Sequence, residues 1–211
     1  MKKIAVYGAG GFGREIACLI HIINQKSPQW DFIGFFDDGK EIGTSNEYGQ
    51  ILGGIKELNK ITYPLDLAIA IGKPTIVAHI VENIKNENIN FPNIISPDVI
   101  FLDGQNCKMG KGNIICSGCL FSCNLLIGDF NIFNGFIPVG HDSVIGNYNA
   151  FMPNVKISGE VTIGDRNFFG VSSIVLQQIR IGNTTTIGAN SLVIKKTKDG
   201  LTYLGSPAKA L

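Results

Sequence analysis

Residues 127–151 read IGDFNIFNGFIPVGHDSVIGNYNAF, and every sixth position is large and apolar: Ile127, Phe133, Val139, Ile145, Phe151. The step holds outward in both directions. It runs back through Phe121 and Ile115 to Met109, and on through Ile157, Ile163, Phe169, Val175, Ile181 and Ile187 to Val193. These fifteen consecutive stops carry no exception. A second period rides on the first, because Gly110, Gly128, Gly146, Gly164 and Gly182 each follow a stop at intervals of eighteen residues. Neither an α-helix nor an alternating strand has this periodicity. Short strands laid as the sides of a three-sided coil do, and the repeat predicts a hexapeptide parallel β-helix.

Each apolar stop is expected to point into the prism and stack on its equivalents in the neighbouring coils. The Gly, Asn and Asp residues of Ile127-Gly-Asp-Phe-Asn, Ile145-Gly-Asn-Tyr-Asn and Ile163-Gly-Asp-Arg-Asn are expected at turn positions with φ > 0. Five coils at the inter-strand spacing make a column about 24 Å tall. Its open ends need covering. The domain before Met109 and the segment after Val193 are the expected caps.

The chain has 211 residues, a net charge of +1, 45% hydrophobic and 17% charged residues, which allows one large or two small domains with a sizeable core. Lys and Arg do not cluster, so a nucleic-acid partner is not implied. No apolar run reaches the roughly 18 residues of a membrane span. The opening Met1–Tyr7 is too soon broken by Gly8 to read as a signal peptide, and the expected location is the cytoplasm. Cys116-x-x-Cys119 followed by Cys123 could suggest a metal site. The three fall inside the hexad register with no His nearby, and they are expected as buried free thiols with no metal; Cys18 and Cys107 complete an odd count of five.

Before the repeat the pattern is α/β. Lys3–Tyr7 reads as a strand, followed by Gly8-Ala9-Gly10-Gly11-Phe12-Gly13 and a helix with Ile16, Leu19, Ile20 and Ile23 on one face, stopped at Ser27-Pro28. Asp31–Phe36 and Leu65–Ile71 are further strands, Thr75 to about Glu87 a second helix, and Asn93–Ile95 a short fourth strand. These predict a small parallel-sheet layer over residues 1–96 and a β-helix over residues 97–211. Gly8-x-Gly10-x-x-Gly13 between strand and helix, with Asp37-Asp38 about two dozen residues on, fits a nucleotide-binding fingerprint. The glycines let backbone N–H groups at a helix N-terminus approach a phosphate, and the carboxylates can take ribose hydroxyls or base N–H groups. A tight turn binding nothing is the alternative. The layer lacks a second mononucleotide-binding half, and hydride chemistry would need a substrate domain that a β-helix does not resemble. A nucleotide carried by another molecule is the better reading.

Of three histidines, His21 and His79 sit on the predicted helices and read as ordinary surface residues. His141 lies inside a coil, two residues after an inward position, between Gly140, which leaves room for a ligand, and Asp142. A His oriented by a carboxylate suits general-base work near neutral pH. A His that merely decorates a coil face is the other reading.

The hexads, Gly8-Ala-Gly-Gly-Phe-Gly-Arg-Glu, Asp37-Asp38, Val139-Gly-His-Asp-Ser, Ile157-Ser-Gly-Glu-Val-Thr-Ile-Gly and Gly205-Ser-Pro-Ala-Lys209 together resemble a family over essentially the whole chain. It is that of the hexapeptide-repeat sugar acetyltransferases, typified by sialic-acid O-acetyltransferase and the bacterial amino-sugar-nucleotide N-acetyltransferases. The resemblance implies a Rossmann-like domain before a left-handed parallel β-helix, acetyl-CoA as acyl donor, a homotrimer, and a role in bacterial surface-glycan (lipopolysaccharide) biosynthesis. It also implies roles. His141 would be the general base and Asp142 its orienting partner. Gly8, Gly10, Gly11, Phe12, Asp37, Asp38 and Lys73 would hold the nucleotide sugar, and Asn134 would contact its sugar. Gly159 would offer its N–H to the thioester carbonyl. Gly170, Ala189, Lys195, Pro207 and Lys209 would line a CoA groove between neighbouring columns. The chain departs from many relatives at Ala150, where they carry a second His, at Ser96-Pro97, where they have His-Pro, and at Val77, where they have Arg.

The expected reaction is direct transfer of an acetyl group from acetyl-CoA to the amine of a UDP-, dTDP- or GDP-linked 4-amino-6-deoxy sugar. O-acetylation of sialic acid or another sugar is the alternative within enzymes. A trimeric scaffold with a small-molecule-sensing domain is the alternative outside them.

Overall fold

The computed structural model describes the whole chain, Met1–Leu211. In chain order the first region forms β1 (Lys2–Tyr7), α1 (Gly11–Lys26), β2 (Trp30–Phe36), β3 (Ser45–Asn46), β4 (Gly49–Gly53), α2 (Ile55–Leu58), β5 (Leu65–Ile69), α3 (Pro74–Asn83) and β6 (Ile89–Asn90). The sheet order is β3-β4-β2-β1-β5-β6, parallel except for the β3–β4 hairpin. Ile16, Leu19, Ile20 and Ile23 are the buried stripe of α1, as their spacing predicts. Pro74 opens α3, which ends four residues short of the expected Glu87. The Asn86 amide donates to the Leu58 and Ile61 carbonyls, at 3.0 and 2.8 Å, which holds the departing chain against α2 instead of continuing the helix.

The expected fourth strand belongs elsewhere. Ile94–Ile95, β7, pairs with Ile114–Ile115, so it is the first strand of the column and not the last of the α/β layer. Three parallel sheets then rise together. The first stacks the strands ending at Ile95, Ile115, Phe133, Phe151, Phe169 and Ile187; the second those ending at Phe101, Phe121, Val139, Ile157, Val175 and Val193; the third those ending at Met109, Ile127, Ile145, Ile163 and Ile181. The column thus begins two strands before its regular repeat. Eight residues separate Phe101 from Met109 where six are the rule, and a 3₁₀ turn at Gly104–Asn106 takes up the excess. At the far end Thr202–Leu204 extends the first sheet and pairs antiparallel with Lys209–Ala210, closing the edge.

Every stop from Ile115 to Val193 is buried, and Met109 packs half-buried against the same core. Phe133, Phe151 and Phe169 stack with ring centroids 4.9 and 4.7 Å apart, continuing the Phe101–Phe121 stack through an edge contact at 5.1 Å. A left-handed backbone conformation occurs once per hexad, but at the third residue after each stop: Phe130, Tyr148 and Arg166 have φ of 55–58°. The Gly and Asp or Asn before them do not, contrary to the sequence expectation. The eighteen-residue glycines serve close approach instead. A Cβ on Gly128 would lie 2.5 Å from Asn147 Oδ1 and 2.7 Å from the Gly146 carbonyl. Beside it, Asp129 N–H donates to Asn147, Asn147 N–H to Asp165 and Asp165 N–H to Asn183, at 2.7–2.9 Å. The buried Asn113, Asn131, Asn149 and Asn167 form a second ladder running the opposite way. Buried amides satisfied in this way cost no net desolvation and pin the register of the coils.

The α/β layer leans on the first sheet. Ile94, Ile114 and Ile132 precede inward stops and so point outward, where they join Ile16, Leu19 and Ile20 of α1 in one core. The corner between the third and first sheets adds Phe130, stacked on Tyr148 at 5.4 Å and edge-on to Phe91 at 5.1 Å.

Candidate active site

Two separate constellations emerge. The first lies at the carboxyl ends of β1, β2 and β5, where the strand order turns back and α/β sheets leave a crevice. Gly8 needs its left-handed φ of 101°, and Gly13 lies so close to strand β1 that a Cβ would meet the Gly8 carbonyl at 1.8 Å. Gly10, Gly11 and Gly72 differ: their φ values are ordinary, and a Cβ on any of them would meet nothing within 4 Å. Neither backbone strain nor internal packing calls for glycine there, whereas close approach of a ligand does. Asp37 takes the Ala9 N–H at 2.8 Å and the Gly39 N–H at 2.9 Å, bracing the glycine loop. Asp38 accepts from the Tyr7 hydroxyl and from the Ile55 N–H at 3.0 Å. Burial first, then Asp38, holds the Tyr7 phenol far above its usual range. Phe12 turns partly into the shared core. Lys73 is exposed at the start of α3 and borders a cavity of about 200 Å³ shared with Arg166, Phe168, Thr184 and Thr186 of the column. The largest cavity, about 730 Å³, opens beside Lys2, Lys3 and Tyr63 at the amino ends of the strands, away from this crevice.

The second constellation is on the corner between the second and third sheets. His141 Nδ1 lies 2.8 Å from Asp142 Oδ2, and Asp142 Oδ1 accepts from the Asn124 amide at 2.6 Å, one coil above. The Asn124 amide, then the imidazole, holds the Asp142 carboxyl below the usual carboxylate range. With Nδ1 donating to the carboxylate, Nε2 carries the free lone pair. That nitrogen faces the next coil. A Cβ built on Gly159 would stand 2.6 Å from Nε2 and 2.7 Å from Cε1, so the absent side chain of Gly159 is the space the ring occupies. The Gly159 N–H makes no hydrogen bond within the chain. Gly140 does not open room for a ligand as expected, because its Cβ would meet the backbone of Ser158 and Gly159 at 2.4 Å. Glu160 follows, its N–H on the His141 carbonyl at 2.7 Å and its carboxylate held by the Gln177 and Gln178 amides at 2.7 and 2.9 Å. Asn124, Glu160, Gln177 and Gln178 were absent from the sequence reading. Asn124, Asp142, Glu160 and Gln178 stand eighteen residues apart, and that register was the available signal.

The remaining expected residues are spread along the column. Asn134 is on the corner between the first and second sheets, with Glu15 and Cys18 of α1 around a cavity of about 320 Å³. Gly170 and Ala189 share that corner, and a Cβ on Gly170 would meet Ala189 N at 2.5 Å. Lys195, Pro207 and Lys209 are exposed near the far end, where Ala208 N–H bonds the Leu192 carbonyl at 2.8 Å. Ala150 faces outward from the first sheet and is 2% exposed. His21 and His79 are exposed helix residues beside Gln25 and Asn83. Of Cys116, Cys119 and Cys123 only Cys119 is fully buried, Cys116 is half-buried and Cys123 is exposed, which corrects the expectation that these three are buried. Burial pushes the Cys116 thiol up to about 12.

In a three-sided prism the His141 corner lies across from the first sheet, the side that carries the α/β layer. The α/β layer packs on Ile94, Ile114 and Ile132 of that sheet, whereas His141 stands between the other two.

Residues 3–84 match the model of the PglD N-terminal domain family. No curated protein matches the sequence. Among solved structures, WeeI from Acinetobacter baumannii AYE superposes with a TM-score of 0.89 at 28% identity, each chain covered over 100% of its length. The acetyltransferase domain of PglB from Neisseria gonorrhoeae FA1090 gives 0.88 at 26% identity, again over 100% of both chains. PerB from Caulobacter crescentus shares the fold, with a TM-score of 0.88 at 21% identity over 100% of this chain and 98% of its own. A PglD N-terminal domain over residues 3–84, joined to a left-handed hexapeptide β-helix that carries a His–Asp pair, makes the chain similar over its whole length to the hexapeptide-repeat sugar acetyltransferases and gives it the architecture of an acetyl-CoA-dependent acyltransferase.

Proposed function

We propose that the chain transfers acetyl from acetyl-CoA to the amine of a nucleotide-linked amino sugar, with His141 as general base. One observation carries this reading: Nδ1 of His141 is bonded to Asp142 at 2.8 Å, while Nε2 faces Gly159, whose N–H makes no hydrogen bond within the chain. A base and an oxyanion donor thus flank one point. The amine nitrogen attacks the thioester carbonyl, Nε2 takes its proton, and the Gly159 N–H supports the developing oxyanion. Collapse forms the amide and releases the CoA thiol. A positioned base contributes about 10² to 10⁴ in rate and an oxyanion donor about 10² or more. The Neisseria relative has been solved in complex with acetyl coenzyme A, which supports the same donor here.

Gly8, Gly10, Gly11, Asp37 and Lys73 are assigned to the nucleotide sugar, because Gly10, Gly11 and Gly72 open on the crevice with no internal reason to be glycine. Asp38 is assigned to bracing that crevice, since the Tyr7 hydroxyl and the Ile55 N–H engage it. Gly170, Ala189, Lys195, Pro207 and Lys209 are assigned to a CoA groove between columns. A homotrimer follows from the same reasoning, since a groove between columns needs neighbouring copies. Both substrates are cytoplasmic metabolites, which assigns the protein to that compartment. The test is thiol release from acetyl-CoA against UDP-, dTDP- and GDP-linked 4-amino-6-deoxy sugars, with free sialic acid alongside. Release with one nucleotide amino sugar is expected, together with its loss in His141→Ala. Release with sialic acid alone would replace the amine acceptor by a hydroxyl.

A further inference from the structure

We propose that Glu160 is the residue that makes the site select an amine over a hydroxyl, by holding the acceptor in its ammonium form beside His141. The inference rests on the acyl-transfer reading above and adds a specificity determinant to it. His141 presents Nε2 toward Gly159, and Glu160 is the next residue, tied to His141 by its own N–H at 2.7 Å. The nitrogen thus faces Gly159, and the carboxylate belongs to the very next residue of the same coil, close enough for the imidazole and Asp142 to act on its charge. Gln177 and Gln178 grip one carboxylate oxygen each, so the group is oriented and not free to swing away. Those partners are neutral, and the carboxyl is held below the usual range, by the Gln178 amide first.

Glu160 also lacks a cation. The ion pairs of the chain are Arg14–Glu47, His141–Asp142 and Arg166–Glu82, so no lysine or arginine neutralises it. The ionisable groups that act on it are His141 and Asp142, both in the coil above, while the coil below supplies only amides. Asp142 differs in being paired with the His141 imidazole, whereas both partners of Glu160 are neutral amides. An oriented, uncompensated negative charge beside the reacting nitrogen attracts a cation. A lysine ammonium titrates at roughly 10.4, and the oxygens of a sugar ring lower that value for its amine while still leaving a large share of it protonated at neutral pH. Held by Glu160, the ammonium loses one proton to solvent to give the free amine. The amine then attacks, and His141 takes the second proton. A hydroxyl brings no charge and gains nothing from Glu160.

The experiment compares wild type, Glu160→Gln and Glu160→Asp with one turned-over amino acceptor and its hydroxyl counterpart, as a function of pH and salt. At neutral pH and low salt, Glu160→Gln is expected to raise the acceptor KM about five- to tenfold, the size of one screened charge contact. Its KM for acetyl-CoA, its kcat and its melting temperature should stay near wild type. The difference should fade above the pKa of the acceptor amine and in high salt, and Glu160→Asp should restore most of it. An unchanged acceptor KM, a rise that persists when the amine is neutral, or equal rises in both KM values would overturn the inference while leaving acyl transfer intact. Wild-type turnover confined to hydroxyl acceptors would instead refute the amine reading itself.

Discussion

Replacing Gly159 by alanine tests the site through geometry alone. The added methyl would stand 2.6 Å from Nε2, 2.7 Å from Cε1 and 3.0 Å from Cδ2 of His141, its three nearest neighbours. Carbon contacts settle at roughly 3.5–4.0 Å, so the ring must retreat by about 1 Å. The backbone raises no objection, because Gly159 is not among the residues with left-handed φ. Folding should hardly notice, since the His141 side chain is 48% exposed and has solvent to swing into. Catalysis should notice strongly. A displacement of about 1 Å at the reacting nitrogen is enough to lose on the order of 10²-fold. We therefore expect Gly159→Ala to lower kcat/KM about a hundredfold in the thiol-release assay, with a melting temperature within about 2 °C of wild type. Activity within threefold of wild type would mean that the ring position over Gly159 is not the working one. A large drop in melting temperature would mean that Gly159 serves the coil and not the ring.

Other consequences follow from the column. Phe151 is fully buried between Phe133 and Phe169, and Phe151→Ala should cost about 3–5 kcal/mol in denaturant unfolding; a loss below about 1 kcal/mol would refute the stacking argument. Asp98 accepts from the Ser96 hydroxyl and from Gly118 N–H at 3.0 Å, and the Ser96 bond chiefly holds its carboxyl low. A depressed folded-state pKa stabilises fully above the unfolded value, near 3.9, and that stability is lost as pH falls through the folded value. The melting temperature of wild type should thus decline below about pH 4, and Asp98→Asn should flatten part of the decline; an unaltered slope would count against the assignment. In native protein a thiol reagent should modify exposed Cys123 first, with Cys116 and Cys119 reacting only on unfolding. Early labelling in Cys123→Ser would contradict that order.

Much of this architecture could be read in the sequence, because a stacked coil places the same demand on the same position every six residues. A strand end pointing into a narrow prism must be large and apolar, so Ile115 to Val193 announce themselves. His141 and Asp142 were legible as neighbours, since adjacency in sequence there is adjacency in space. The turns were less legible. Left-handed φ falls on Phe130, Tyr148 and Arg166 because the coil geometry dictates it, whatever residue stands there. Gly128 and Gly140 stand where the next coil comes too close for a Cβ, and such contacts have no local signature. The first two strands of the column lie outside the regular repeat because the chain between Phe101 and Met109 breaks the period by two residues.

Only the tertiary structure decided which side of the prism the α/β layer covers. The outward Ile94, Ile114 and Ile132 are ordinary apolar residues in the sequence, and their burial under α1 is what sets the layer on their sheet, whereas His141 stands between the other two. Tertiary structure likewise brought Asn124, Glu160, Gln177 and Gln178 around the imidazole. A coil's axial neighbours are eighteen residues apart, and a polar side chain at that distance becomes informative only once the coils are stacked. The sequence by itself determined the repeat, the glycine loop and the His–Asp pair, because each is enforced by backbone periodicity or by immediate neighbours.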